Sequence, residues 1–339
     1  MVSSDRPAAT CENTAVQPTD LRSPTPTPVA TRSAGIDGLR LMGVVAVVFG
    51  HVWATGLTHP ALFIWHVPVF FVLSGYLWRP GRSLLGEVRK RARSLLVPYV
   101  LWLAVVTLGW ALFTDIVGTR QWPDPMNLLL GGARLGGQYA AFWFVTALFV
   151  AAVAMRAFSA LWEWLPLVVG VAVLALAYVQ PEWVRWVPWS AGVALAALVF
   201  MAIGDGLRRV RGQISAPVPI GLALAGVGLA LSISGVVPPV DMKAAGFGAP
   251  IATVLVSAAI SCGMILFFEG VQHRIPERAG RIVTLLAGVA LPVILGHALF
   301  IAIGRAVGAP SIAIFTAALL VPMLAGLVLA RFRVGRLFV

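Results

Sequence analysis

At 339 residues, 59% of them hydrophobic and 11% charged, with a mean hydropathy of +0.91, the chain is too apolar for a soluble globular domain. A net charge of +12 would suit nucleic acid, but the arginines gather in short connections between apolar runs, the pattern of cytoplasmic loops in a membrane protein. Two cysteines, Cys11 and Cys262, give neither a disulfide framework nor metal-ligand spacing.

Residues 1–34 are rich in Ser, Thr and Pro and hold no apolar segment, so they predict a disordered cytoplasmic tail rather than a signal peptide or a span. Beyond them the apolar runs have helix-like lengths, and only helices satisfy their own backbone hydrogen bonds in lipid. The expectation is an all-α integral membrane protein, a bundle of about ten transmembrane helices forming one domain over residues 35–332. Spans are predicted near 37–57, 61–78, 95–114, 140–157, 162–180, 187–204, 216–236, 249–269, 282–304 and 309–330. Connections 79–93, 205–213 and 273–281 carry clustered arginine, and residues 333–339 form a short basic C-terminal tail. Connections on the other side carry only Arg120, Arg134, Arg185, Lys243 and Arg305. That asymmetry predicts a multi-pass protein of the cell (plasma) membrane with both termini cytoplasmic.

The first span, GIDGLRLMGVVAVVFGHV, holds Arg40 and His51. An eleven-residue step is about three helical turns, so both side chains share one face roughly 16 Å apart. Ionisable groups are costly in a bilayer and point to function there. A cation near the cytoplasmic surface and a proton-transfer group deeper in suit one extended anionic substrate such as an acyl-coenzyme A. Arginine's fork would grip its phosphates, and a neutral imidazole would take a proton from an attacking hydroxyl. Arg40 also reads as a snorkelling anchor at the membrane edge. In the second span, FIWHVPVFFVLSGYLW, His66 precedes Pro68 and is either a second proton-handling group or a holder of the kink. Ser74 and Gly75 allow close helix approach.

The basic connection continues into RKRARSLLVPYV, where Lys90, Arg91 and Arg93 are candidates for phosphate binding or for contact with anionic lipid. Trp143, in FWFVTALF near the outer end of the fourth span, is either a stacking surface for an acceptor or part of an interfacial aromatic belt. His297 and Arg305, in LGHALFIAIGR, lie eight residues apart on nearly one face of the ninth span. His297 joins Trp143 as a candidate substrate-binding residue. Glu269 is expected to pair with Arg274.

In this order, Arg40 through His51, HVPVFFVLSGYL (66–77), KRARSLLVPY (90–99), FWFVTALF (142–149) and LGHALF (295–300) resemble the membrane-bound acyltransferase-3 family, which includes bacterial polysaccharide and glycolipid O-acetyltransferases. IWHVPVFF around His66 resembles its fucose 4-O-acetylase-like subgroup. The resemblance implies a ten-helix core that moves an acyl group, usually acetyl, from cytoplasmic acetyl-CoA to a hydroxyl of a cell-envelope glycan or glycolipid. It also implies that Arg40 and His51 are required, and that the basic-loop and tryptophan motifs fall on Lys90, Arg91, Arg93 and Trp143. The expected function is membrane O-acyl transfer, with His51, Arg40 and His66 catalytic and with acyl-CoA a co-substrate rather than a resident cofactor. His51 acts either as general base or as transient acyl carrier. The competing class is a transporter or flippase of a lipid-linked sugar, which shares the many spans and intramembrane histidines but needs no acyl chemistry.

Overall fold

The computed structural model describes residues 1–2, 33–119 and 121–339. Of the expected disordered tail, residues 1–34, positions 3–32 lie outside the described residues, as does Arg120, while Ser33 and Ala34 are the cap and first residue of α1. Among those described there are helices and turns and no strand. In chain order the α-helices are α1 (Ala34–Val52), α2 (Thr58–Phe63), α3 (Pro68–Tyr76), α4 (Leu84–Arg91), α5 (Val97–Ile116), α6 (Pro125–Leu130), α7 (Phe142–Leu161) and α8 (Leu165–Val179). They continue as α9 (Pro181–Arg185), α10 (Ala191–Ala196), α11 (Leu198–Val210), α12 (Pro217–Ile233), α13 (Ala252–Val271), α14 (Glu277–Gly288), α15 (Ala290–Ala306) and α16 (Ser311–Leu329).

By length and composition six described helical segments can cross a membrane, or up to eight if each of two bent pairs is one span. The bent pairs are the segment through α10 and α11, turned by 49°, and α14–α15, turned by 58°. The apolar helices α8 and α12 are shorter. Hydropathy locates all these runs but not their breaks. The run predicted at 61–78 is two helices, because Pro68 has no N–H to continue a ladder and stands instead as the first residue of α3. His66 is left in the unwound junction. Between α4 and α5, residues Ala92–Leu96 form a π-helical turn that joins a basic surface helix to an apolar one.

Local sequence explains the ends that matter. Ser33 caps α1 by accepting from Ile36 N at 3.2 Å, and Asp37 complements the positive end of the helix. Ser83 caps α4 in the same way, accepting from Gly86 N at 3.1 Å. The helices α3 and α11 cross on reciprocal glycines. A Cβ on Gly75 would lie 1.9 Å from the Met201 carbonyl oxygen, and one on Gly204 would lie 1.9 Å from that of Val72. Such small-residue contacts let backbones approach where lipid supplies no hydrophobic drive. The C-terminal residues fold back rather than trail away. Gly335–Leu337 form a turn, and Trp102 Nε1 donates to the Phe338 carbonyl at 3.0 Å.

Because α3 and α7 run parallel to each other and antiparallel to α1, the C-terminus of α1 and the N-termini of α3 and α7 meet at one end of the bundle. The C-termini of α3, α7 and α11 meet α4 at the other.

Candidate active site

At the first end, His51, His66 and Trp143 line one cavity of about 230 Å³, walled by apolar residues of α1, α3, α7 and α15 and by the 234–251 loop. His51 sits in the last turn of α1, whose end is fixed by Arg305 from α15 donating to the His51 carbonyl at 2.7 Å. A cation there also complements the negative end of the helix.

The hydrogen bonds assign the tautomers. His297 is fully buried, and its Nδ1 lies 2.9 Å from the Val293 carbonyl. A carbonyl only accepts, so Nδ1 of His297 carries the hydrogen and a neutral His297 presents Nε2 as an acceptor. That Nε2 lies 3.0 Å from His51 Nδ1, which must therefore donate. The two rings are tilted by only 19° with centroids 5.1 Å apart, the spacing of rings bonded edge to edge. The chain Val293–His297–His51 thus leaves Nε2 of His51 unprotonated and basic. His66, 4% exposed, is set likewise: its Nδ1 donates to the Leu62 carbonyl at 2.8 Å, and Nε2 is its free acceptor. The Leu62 carbonyl also accepts the backbone N–H of His66 at 2.9 Å, so the main chain and the ring of His66 converge on one acceptor.

At the opposite end a second cavity, of about 430 Å³, is lined by Arg79, Arg82, Lys90, Arg91, Arg156 and Arg208, with Glu87 as its carboxylate. Glu87, 2% exposed, accepts from Arg82 and Arg91 at 2.7 Å each, with Arg156 at 3.9 Å. Arg208 pairs with Asp205 at 2.7 Å. The Arg156 guanidinium stands 4.4 Å from the Trp78 ring. Both Arg156 Nε and Trp78 Nε1 are buried donors without a hydrogen-bond partner in the protein. Buried donors are nearly always satisfied, so an excess of cations with two idle donors is the environment of an anionic ligand. The two cavities share α3 and α7: Pro68 and Tyr76 are about 12 Å apart along α3, and Trp143 and Arg156 about 20 Å along α7.

A family model described as an acyltransferase domain matches residues 33–331. The chain belongs to the acyltransferase-3 family. Searches of the curated proteins and of the solved structures find no significant match.

In this membrane acyltransferase the residues expected from sequence separate into three groups. His51, His66 and Trp143 converge on one cavity, and Lys90 and Arg91 line the other. His297 stands behind His51 and does not line the cavity as a substrate-binding residue would. Arg40 and Arg93 line neither cavity. Arg40 donates to Asp37 at 2.8 Å, a turn away on α1. Glu269 pairs with Arg211 at 2.6 Å and accepts from Tyr76 at 2.7 Å, which corrects the expected pairing with Arg274.

Among the cavity residues that sequence reasoning missed in the acyltransferase are Asp241, Lys243, Trp78 and Arg156. Arg156 had a readable signal, an arginine inside a 20-residue apolar helix, where a charge is expensive. Asp241 and Lys243 had none, being ordinary loop residues until the loop folds over α1 and α3. Among the described residues no group of three or more His, Cys, Asp or Glu is placed to hold a metal ion.

Proposed function

We propose that the protein is an O-acyltransferase of the plasma membrane that moves an acyl group, acetyl in the first instance, from acyl-CoA to a hydroxyl of a cell-envelope glycan or glycolipid. The observation that carries this reading is the Val293–His297–His51 chain, which leaves a basic nitrogen on a cavity wall at the far end of the two helices that reach the cationic cavity. In this reading α8 and α12 also cross the membrane, giving ten spans with both termini cytoplasmic. The cationic cavity then opens to the cytoplasm, where Arg156, Lys90 and Arg91 bind coenzyme A phosphates and the pantetheine arm runs outward between α3 and α7. His51 acts as general base on the acceptor hydroxyl, His297 holds its tautomer, and His66 and Trp143 bound the acceptor. Arg40 has a lesser part, since a phosphate would have to compete there with Asp37 for the guanidinium.

The experiment compares envelope lipids and glycans by mass spectrometry in intact, gene-deleted and His51→Ala-complemented strains. An acetyl-sized mass lost on deletion, and still missing with an expressed and membrane-inserted His51→Ala protein, supports the proposal and identifies the acceptor. Unchanged acylation, with a whole glycan or lipid missing until His51→Ala restores it, overturns it in favour of transport.

A further inference from the structure

The cavity at His51 has a conspicuous imbalance. The Nδ1–H groups of His51 and His66 are spent on His297 and Leu62, so both rings offer acceptors, and Asp241 is a third. Acyl transfer develops negative charge on the acyl oxygen and needs a donor aimed at it. Lys243 is the cation among the described residues of this wall.

Lys243 is held by a built loop. Asp241 and Gly246 exchange two backbone hydrogen bonds of 2.8 Å, and Asp241 Oδ1 accepts from Ala244 N at 3.2 Å. Met242 and Phe247 anchor the loop in the core, at 2% and 1% exposure. The Lys243 ammonium donates to the Leu135 carbonyl, tying this loop to the one that leads into α7. An ammonium has three hydrogens, so two remain. Lys243 lines the same cavity as His51.

We infer that Lys243 is a catalytic residue, whose ammonium donates to the acyl carbonyl oxygen as that oxygen becomes an oxyanion. The inference rests on the proposed acyl transfer. The acceptor oxygen bonds to the acyl carbon while its proton passes to His51 Nε2, and the carbonyl π pair moves onto the oxygen facing Lys243. Collapse re-forms the C=O bond and breaks the C–S bond. Coenzyme A leaves as thiolate and takes the proton back from His51, so no electrons are gained or lost overall. Burial lowers the Lys243 pKa to about 8, opposed by Asp241 and assisted by Arg185, which leaves the group protonated at neutral pH and acidic enough to donate strongly.

The test uses the full chain in lipid nanodiscs, acetyl-CoA, and an envelope extract from the deletion strain as acceptor pool. Thiol release and product acetylation are followed for wild type, Lys243→Met, Lys243→Gln and Lys243→Arg. We expect Lys243→Met and Lys243→Gln to lower kcat by about 10²-fold or more, the usual effect of removing one oxyanion donor. The KM for acetyl-CoA should stay within about twofold, and Lys243→Arg should recover at least a tenth of wild-type kcat. Lys243→Gln keeps a donor for Leu135, so it separates loss of charge from loss of the loop tie, and it serves if Lys243→Met does not accumulate. Wild-type kcat in Lys243→Gln, or a change confined to acceptor KM and thermal stability, overturns the assignment and leaves Lys243 as a loop strap. Failure of the wild-type chain to acetylate anything would defeat the underlying acyl-transfer reading instead.

Discussion

Substitution of His297 tests the tautomer chain most directly, because this residue touches neither cavity. In His297→Leu the Nδ1–H of His51 loses its acceptor at 3.0 Å, while the volume stays nearly filled. The net value of one such hydrogen bond is about 1 kcal/mol, which alone gives roughly a fivefold effect. The larger effect comes from freeing the imidazole to rotate and to place its hydrogen on Nε2, where it cannot act as a base. Loss of the orienting group in a catalytic triad reaches about 10⁴-fold, though that case also removes a full negative charge. A neutral imidazole supplies orientation only, so the expected fall in kcat is about 10²-fold, equivalent to about 2.7 kcal/mol. In His297→Gln the side-chain carbonyl can accept from His51 while the amide donates to Val293, and kcat should stay within about tenfold of wild type. The assay is thiol release from acetyl-CoA in nanodiscs, with KM for acetyl-CoA and thermal midpoint as controls. Equal kcat in His297→Leu and wild type would refute the argument, since His51 would then need no partner.

Four further outcomes are expected. Arg156→Met should raise KM for acetyl-CoA by about tenfold with kcat little changed, because it removes phosphate binding common to ground and transition states; isothermal titration with coenzyme A alone gives an independent reading. Arg40→Lys should change the same KM by less than about threefold if Asp37 is the main partner of Arg40, whereas a larger loss would show a bidentate phosphate grip. Gly75→Val should prevent accumulation of folded protein, because its Cβ would fall 1.9 Å from a backbone oxygen of α11; recovery of wild-type yield and thermal midpoint would contradict the crossing. With the Lys243 ammonium titrating near pH 8, kcat should fall as pH rises through about 8, since the protonated form is the donor, and this limb should shift above that range in Lys243→Arg. The charged and titratable groups around it, Asp241, Arg185, Arg134 and His51, are unchanged in that variant, so its profile isolates the group.

The legible part of the site lay where sequence makes a residue expensive. His51, His66 and Trp143 stand out as polar or amphipathic groups in apolar runs, and all three reach one cavity. His297 stands out for the same reason, but its role depends on α15 lying beside α1, a contact 246 residues apart in the chain that no local pattern encodes. Periodicity gave helix positions well and interruptions poorly: the break before Pro68 was readable from proline chemistry, whereas the bends of 49° at α10–α11 and 58° at α14–α15 were not read from the pattern. Lys90 and Arg93 illustrate the remaining limit. They are three residues apart in one basic run, yet the π-helical turn from Ala92 rotates the chain, and only Lys90 lines the cavity.

The separation of the two cavities is itself a constraint on the proposed chemistry. A thioester that must reach a basic nitrogen is exposed to hydrolysis if water follows it, and a continuous polar path would also leak ions across the membrane. Between the two ends stand Phe70 and Phe71 of α3 and Phe144 of α7, with Phe70 and Phe71 edge-to-face on Phe144 at 5.4 and 5.8 Å. Phe70 is pressed on Gly43 of α1, where an added Cβ would lie 2.8 Å from its ring. An aromatic cluster of this kind can part around a slender, flexible arm and close behind it, and it offers water no hydrogen-bond partner. Phe144→Ala should therefore raise acetyl-CoA hydrolysis in the absence of acceptor while leaving coenzyme A affinity within about twofold. An unchanged ratio of hydrolysis to transfer would mean that the arm does not pass between α3 and α7, and that the two cavities serve different ligands.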